Sequence, residues 1–231
     1  MVGALVEANG LCRDFSGTRF LDDVRLHVPA GHALAVVGEN GAGKTTLLKI
    51  LATAARPDAG ELLIGGVDAL KNPKEVRAFI GYVPQGIALM QELTVRDNLR
   101  YWMKPGDEAA YHWTLNLIDL ASVEKKKVSK LSGGMQRRLN IGASLVTRPK
   151  LLILDEPLAG VDAENRMRIM DGLGQLKESG VAIVFTSHYT DELQLLADSL
   201  LALKAGRVTY SGAMDFPSGG GLVAAIRQYT A

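Results

Sequence analysis

The sequence predicts a single α/β domain built on a mainly parallel sheet, with a small helical lobe inserted into it. Three observations carry that expectation. Apolar runs at 33–37, 151–154 and 181–185 are continuous rather than alternating, which suits strands buried on both faces. Each run leads at once into glycine or polar residues: the first into Gly38, the second into Asp155-Glu156, the third into Thr186-Ser187-His188. After Gln85 and up to Leu131 a helical pattern replaces the strand pattern. In open α/β sheets ligands gather beyond the carboxyl ends of strands, so the three clusters should converge on one site.

Composition sets the bounds. A chain of 231 residues fits one domain, long enough to bury about three quarters of its unfolded surface. With 26 basic and 25 acidic residues the net charge is +1. The longest run of like charge, Lys125-Lys126-Lys127, is no polycationic arm, so charge gives no argument for a nucleic-acid partner. The single cysteine, Cys12, rules out an internal disulfide and offers no metal-ligand spacing, which fits a reducing compartment. The start, Met1-Val2-Gly3-Ala4-Leu5-Val6-Glu7, lacks the basic segment and apolar core of a secretory signal. No stretch approaches the roughly 20 apolar residues of a membrane-spanning helix. A path across a bilayer would have to come from another chain.

Taken in order, the first strand runs into Gly38-Glu39-Asn40-Gly41-Ala42-Gly43-Lys44-Thr45-Thr46, which satisfies the pattern G-x-x-x-x-G-K-[ST]. Backbone N–H groups of such a loop cradle polyphosphate. The helix expected at 45–51 turns its unpaired N–H groups and positive dipole end toward the same anion. Lys44 should reach the β- and γ-phosphates, and the Thr45 hydroxyl should ligate Mg²⁺. Pro57 and Gly60 close this unit. Inside the lobe, helical patterning covers 94–102 and 109–120, interrupted by Lys104-Pro105-Gly106-Asp107. Ser132 is a good helix N-cap, and the following Gly133 and Gly134 would let a phosphate approach the helix end. Met135, Leu139, Ala143 and Val146 continue at helical spacing.

The second strand ends in two acids that so apolar a run cannot bury unpaired, so they need a cation and water, and Asp155 would hold the Mg²⁺ shell. His188 closes the third strand; His27, His32 and His112 match nothing and read as structural or solvated. The sequence finishes with a Ser218-Gly219-Gly220-Gly221 spacer and a short helix expected at 222–229.

With Leu131-Ser132-Gly133-Gly134-Met135 downstream of the phosphate loop, the chain resembles an ATP-binding cassette (ABC) ATPase over nearly its full length. The resemblance implies a P-loop NTPase (RecA-like) core formed by 1–85 and 143–231, an antiparallel β amino-terminal part, and a helical signature subdomain at 86–142. It implies ATP and Mg²⁺ as cofactors. Glu156 then corresponds to the general base. Gln85, in Ile80-Gly81-Tyr82-Val83-Pro84-Gln85, corresponds to the glutamine that reaches metal and attacking water, and His188 to the switch histidine at the γ-phosphate. Phe15 matches the aromatic that stacks on adenine because it stands just before Ser16-Gly17; Phe20 is its rival, and core packing is open to both.

The same resemblance implies a dimer in which Ser132 and Gly134 close over ATP bound to a second protomer, identical or not. The dimer-contact loop would be Pro157-Leu158-Ala159-Gly160-Val161-Asp162, with valine at 161 where leucine is commoner. Three functions follow from such chemistry: the energy-supplying subunit of a membrane transporter, a soluble mechanochemical ATPase, or a membrane-associated regulator. The second class separates its halves by coiled coils or carries two cassettes in tandem, and neither is seen. The first is therefore expected, with an integral-membrane partner and a place on the inner face of the cell membrane. Ile87-Ala88-Leu89-Met90 could grip that partner or pack within the lobe. The wording Leu131-Ser132-Gly133-Gly134-Met135-Gln136-Arg137-Arg138-Leu139, with Leu93-Thr94-Val95-Arg96-Asp97-Asn98-Leu99, is most similar to bacterial multidrug-type exporter ATPases.

Overall fold

The computed structural model describes residues 4–15, 17–216 and 220–230. Residues 1–3 of the amino-terminal segment, Ser16 beside Phe15, and Ser218-Gly219 of the spacer lie outside the described residues. The chain opens with two long strands, β1 (Ala4–Phe15) and β2 (Thr18–Pro29), then β3 (Ala33–Gly38) and α1 (Lys44–Leu51). It continues through β4 (Ala59–Ile64), β5 (Val67–Asp68), α2 (Pro73–Arg77) and β6 (Ile80–Val83). The inserted helices are α3 (Val95–Trp102), α4 (Glu108–Leu117) and α5 (Gly133–Leu145). The remainder alternates: β7 (Leu151–Asp155), α6 (Ala163–Glu178), β8 (Ala182–Thr186), α7 (Thr190–Leu196), β9 (Ser199–Lys204), β10 (Arg207–Ala213) and α8 (Gly221–Thr230).

Two sheets form. One is antiparallel, in the order β2-β1-β4-β5; the other runs β10-β9-β3-β8-β7-β6 and is parallel except at its β10 edge. Side chains alternate across a strand, so β3 feeds two cores at once. Leu34 and Val36 pack with β1, β2, β4 and α1, whereas Ala33, Ala35 and Val37 pack with α5, α6 and α7. Every residue of β7 and β8 is buried, as their unbroken apolar runs require. Burying one such Leu, Ile or Val side chain contributes roughly 1.5–3 kcal/mol. A third core, with Val95, Leu99, Tyr111, Leu115, Ile118 and Leu139 at its centre, holds the lobe together.

Helix α5 belongs to both worlds: Leu139 faces the lobe core, while Ile141 and Leu145 face the sheet core. Its amino end is capped by Ser132, whose Oγ accepts from Met135 N at 3.3 Å. Helix α3 carries a capping box. Thr94 Oγ1 accepts from Asp97 N at 3.1 Å, and the Asp97 carboxylate accepts from Thr94 N at 3.2 Å. The pattern at 109–120 overshoots the helix, because α4 ends at Leu117 and Asp119 turns to φ 51. Leu120 N then bonds back to Leu115 O, and a short 3₁₀ turn follows at Ala121–Val123. The segment 87–90 splits its duties. Ile87 is exposed, Leu89 packs on the lobe core, and Ala88 N donates to Asn140 Oδ1 on α5 at 3.1 Å.

Candidate functional site

Strand β3 delivers the glycine loop, and sterics explain its glycines. A Cβ on Gly38 would stand 2.4 Å from Leu203 O of the neighbouring β9. Gly43 has φ 106, and a Cβ there would lie 2.6 Å from Phe20 O. No side chain fits either place, so the loop can fold back tightly and present Gly43 as the N-cap of α1. The first-turn N–H groups of α1 are thereby left for an anion. Lys44 Nζ donates to Gly38 O at 2.7 Å and Glu39 O at 3.1 Å, which holds the ammonium inside the curve of the loop. Burial lowers the Lys44 pKa, and the nearby charges of Glu156 and Asp155 oppose that shift.

Beside the loop lies a cleft of about 400 Å³, lined by Phe20, Asn40, Gly41, Gly43, Lys44, Thr45, Thr46, Gln85 and Glu156. Phe20 comes from β2 of the antiparallel sheet, and the others come from the loop after β3, the first turn of α1 and the exits of β6 and β7. A second cleft of about 440 Å³, lined by residues including Ala109, Trp113, Arg148 and Leu176, is mostly apolar and shares no residue with this one.

Asp155 ends β7 almost wholly buried, 1% exposed. Thr186 Oγ1, at the end of β8, donates to Asp155 Oδ1 at 3.0 Å and accepts from Glu156 N at 2.8 Å. Asp155 Oδ2 is buried with no protein partner. An unpaired buried carboxylate oxygen is costly, by roughly 1–3 kcal/mol or more, unless a cation or water meets it. With the half-buried Thr45 hydroxyl it supplies hard oxygen donors of the kind Mg²⁺ takes together with waters and phosphate oxygens. Among the described residues no cluster of three His, Cys, Asp or Glu could hold a metal by itself. The donor set therefore fits Mg²⁺ shared with a phosphate and does not suit an all-protein cage.

Glu156 sits at φ 49, an uncommon conformation for a residue with a side chain. Its carboxylate is held from two sides: His188 Nε2 lies 2.7 Å from Oε1, and Gln85 Nε2 donates to Oε2 at 3.3 Å. The structure brings Lys44, Gln85, Asp155, Glu156 and His188 together at the carboxyl edge of the sheet. Gln85, however, points at Glu156.

Two groups of expected residues stand apart from the cleft. Ser132, Gly133 and Gly134 do not line it; they sit at the start of α5, where a Cβ on Gly134 would meet Gly160 O at 3.3 Å. Phe15 does not line it either and is 64% exposed, while Phe20 does line it. The two rings are perpendicular, with centroids 6.4 Å apart.

Three further side chains shape the site without having been assigned a part from sequence. Thr186 ties Asp155 to Glu156, as described. Arg137, 6% exposed on α5, donates through Nε to Pro157 O at 2.9 Å and through its terminal nitrogens to Gln85 O and Glu156 O. Arg138 donates to Ile118 O at 2.7 Å and to Asn165 Oδ1 at 2.9 Å, joining α5 to α4 and α6. Only adjacency to Ser-Gly-Gly marks the two arginines in the sequence; nothing there tells which way they turn.

Comparison with known proteins gives the following. A family model described as ABC transporter matches residues 21–159. The daunorubicin resistance ATP-binding protein DrrA3 of Streptomyces coeruleorubidus is 36% identical over 221 residues, covering 93% of this chain and 70% of that protein. The linearmycin resistance ATP-binding protein LnrL of Bacillus subtilis is 32% identical over 214 residues, covering 90% of this chain and 69% of that one. A solved structure of the ATP-binding subunit of an ABC transporter superposes with a TM-score of 0.85 at 28% identity, over 91% of this chain and 90% of that chain.

Proposed function

The chain belongs to the ABC transporter family, whose ATP-binding cassettes hydrolyse ATP to power transport, and on that premise we propose that it drives export of a toxic organic solute through an integral-membrane partner. The observation that carries the reading is the convergence of Lys44, Gln85, Asp155, Glu156 and His188 on one strand edge beside a phosphate loop. The resistance functions named for both relatives support export over import.

ATP would lie with its phosphates in the loop 38–46, held by backbone N–H groups, Lys44 and the dipole of α1. Thr45 and Asp155 would hold Mg²⁺, which would supply neutralisation of charge on the β- and γ-phosphates, while Gln85, turned onto Glu156, lies close enough to join that shell on leaving the carboxylate. Glu156 accepts a proton from the attacking water, and His188 orients the Glu156 carboxylate and contacts the γ-phosphate. The exposed ring of Phe15, perpendicular to the Phe20 ring that lines the cleft, would stack on adenine. Ser132, Gly133 and Gly134, absent from the cleft of their own chain, cover the nucleotide of a second cassette. Two such sites would make an isologous interface that closes with ATP and opens after hydrolysis.

The division into a nucleotide-binding core (1–85 and 143–231) and a signature lobe (86–142) goes with this reading. So does a place at the cytoplasmic face of the cell membrane, reached through the partner. Among the described residues no helix is long and apolar enough to cross a membrane, which leaves the translocation path to that partner. The test is co-purification of the tagged chain from detergent-solubilised membranes, followed by ATP-driven drug uptake into inside-out vesicles with and without the chain. A stoichiometric integral-membrane partner and ATP-dependent uptake are expected. Recovery with soluble partners alone would overturn the transport reading, and uptake in the opposite sense would overturn export.

A further inference from the structure

The most heavily engaged buried cation in the molecule is one for which the mechanism above has no use. Arg137 is carried by α5, five residues after the Ser132 cap, and is turned inward beneath the site. Its described hydrogen bonds all go to main-chain carbonyls: Pro157 O at 2.9 Å through Nε, and Gln85 O and Glu156 O through its terminal nitrogens. Pro84 O and Asp155 O lie at 3.4 Å. These acceptors come from two separate segments, the exit of β6 and the exit of β7. Only a planar guanidinium can reach both at once in fixed directions; an ammonium is a point donor on a flexible stem.

The backbone that Arg137 grips is unusual. Glu156 holds φ 49, and both faces of its peptide environment are secured: its N–H donates to Thr186 Oγ1 at 2.8 Å, and its carbonyl accepts from Arg137. A side-chain-bearing residue persists in such a conformation when its surroundings over-determine it. One anchor, Thr186, belongs to the sheet. The other belongs to the signature helix, so any shift of α5 is transmitted to the Glu156 backbone and, through the Gln85 carbonyl, to the glutamine loop.

We propose that Arg137 is a positioning residue for hydrolysis, a brace through which the placement of the signature helix fixes the Glu156 carboxylate and the Gln85 loop. This rests on the reading of Glu156 as the general base. The brace acts on turnover and leaves the phosphate loop and the adenine platform untouched.

The experiment is a kinetic cycle on the full chain, with Arg137→Lys and Arg137→Gln each made alone and in a Glu156→Gln background. Assays run at least ten degrees below the lowest measured melting temperature, about the span a single lost interaction moves a domain of this size. Arg137→Lys should lower kcat by about 10-fold or more while KM for ATP stays within about 2-fold, the signature of an interaction made in the transition state. In the Glu156→Gln background the same change should cost less than about 2-fold in single-turnover phosphate release, because residues acting through one another are not additive. Equal losses in both backgrounds, or parallel changes in kcat and KM, would overturn the proposal. Arg137→Gln, which removes the buried charge as well as the fork, gives the same discrimination should the lysine variant unfold. A Glu156→Gln enzyme that hydrolyses like its parent would instead bring down the reading of Glu156 as the base.

Discussion

His188 Nε2 stands 2.7 Å from Glu156 Oε1 while Gln85 Nε2 donates to the other carboxylate oxygen, so the acid at the end of β7 is clasped between the exits of β6 and β8. Three segments far apart in sequence thus share one carboxylate. A water or phosphate arriving between Glu156 and either neighbour must displace an existing contact.

Glu156→Gln keeps the shape of the clasp and removes the proposed base. Turnover should fall by about 10²–10⁴-fold, the usual range for a lost general base. ATP binding should persist, and the protein should accumulate as a dimer in excess ATP and Mg²⁺. Light scattering after size exclusion decides it; a monomer at saturating ATP would contradict the shared-site arrangement.

The two phenylalanines separate by what they touch. Phe15→Ala should weaken ATP binding about 10-fold, within the roughly 1–3 kcal/mol of a stacked base, and leave inorganic tripolyphosphate binding unchanged. Phe20→Ala, which opens the wall of the cleft and removes the ring perpendicular to Phe15, should weaken both. Calorimetric titration with each ligand checks the pair, and equal effects of Phe15→Ala on the two ligands would remove it from the adenine site.

Thr94→Ala deletes the hydroxyl that accepts from Asp97 N, one half of the capping box on α3. It should cost about 1 kcal/mol, or a drop of roughly 2–4 °C in melting temperature, with ATP hydrolysis by the isolated chain unchanged within about 2-fold. Differential scanning calorimetry alongside a phosphate-release assay reads both. A large loss of hydrolysis would mean that α3 reaches into the chemistry.

Glu192 supplies a pH dependence. Burial raises its pKa above 4.5, against the hydrogen bond from Ser187 and the charge of Arg166, which both lower it. A raised carboxyl pKa means that the fold prefers the protonated form. The stability it contributes is complete below pH 4.5 and is lost as pH rises through the folded-state value. Glu192→Gln, a fixed analogue of the protonated side chain, should therefore be more stable than the parent at pH 8, with the gap closing toward pH 4.5. Thermal melts across that range test the sign, and a gap that widens on acidification would reverse it.

Much of this was legible in the sequence because buried parallel strands announce themselves. Apolar runs at 33–37, 151–154 and 181–185 appear as β3, β7 and β8 within a residue or so; their ends mark where polar clusters gather, the loop pattern marks Lys44, and the family resemblance supplies the parts of Glu156 and His188. Ser132 was readable as a cap because N-cap chemistry is local. Arg137 was not, because its value lies in carbonyls of Gln85, Glu156 and Pro157, which only the tertiary fold brings near. The left-handed turn at Asp119 defeated the helical pattern of 109–120 for a related reason. An aspartate that ends a helix and one that continues it look alike until the following chain has a place to go.

The strand order of the larger sheet has a bearing on how the protein is born. β3, which carries the phosphate loop, lies between β8 and β9, with Ala33 opposite Ile183 and Leu34 opposite Ser199. During synthesis at roughly 5–20 residues per second, the loop leaves the ribosome on the order of ten seconds before either neighbour does. Until then its strand has no flanking partners. The strand that carries the phosphate loop is therefore among the last parts of the larger sheet to be flanked on both sides, although it is made first.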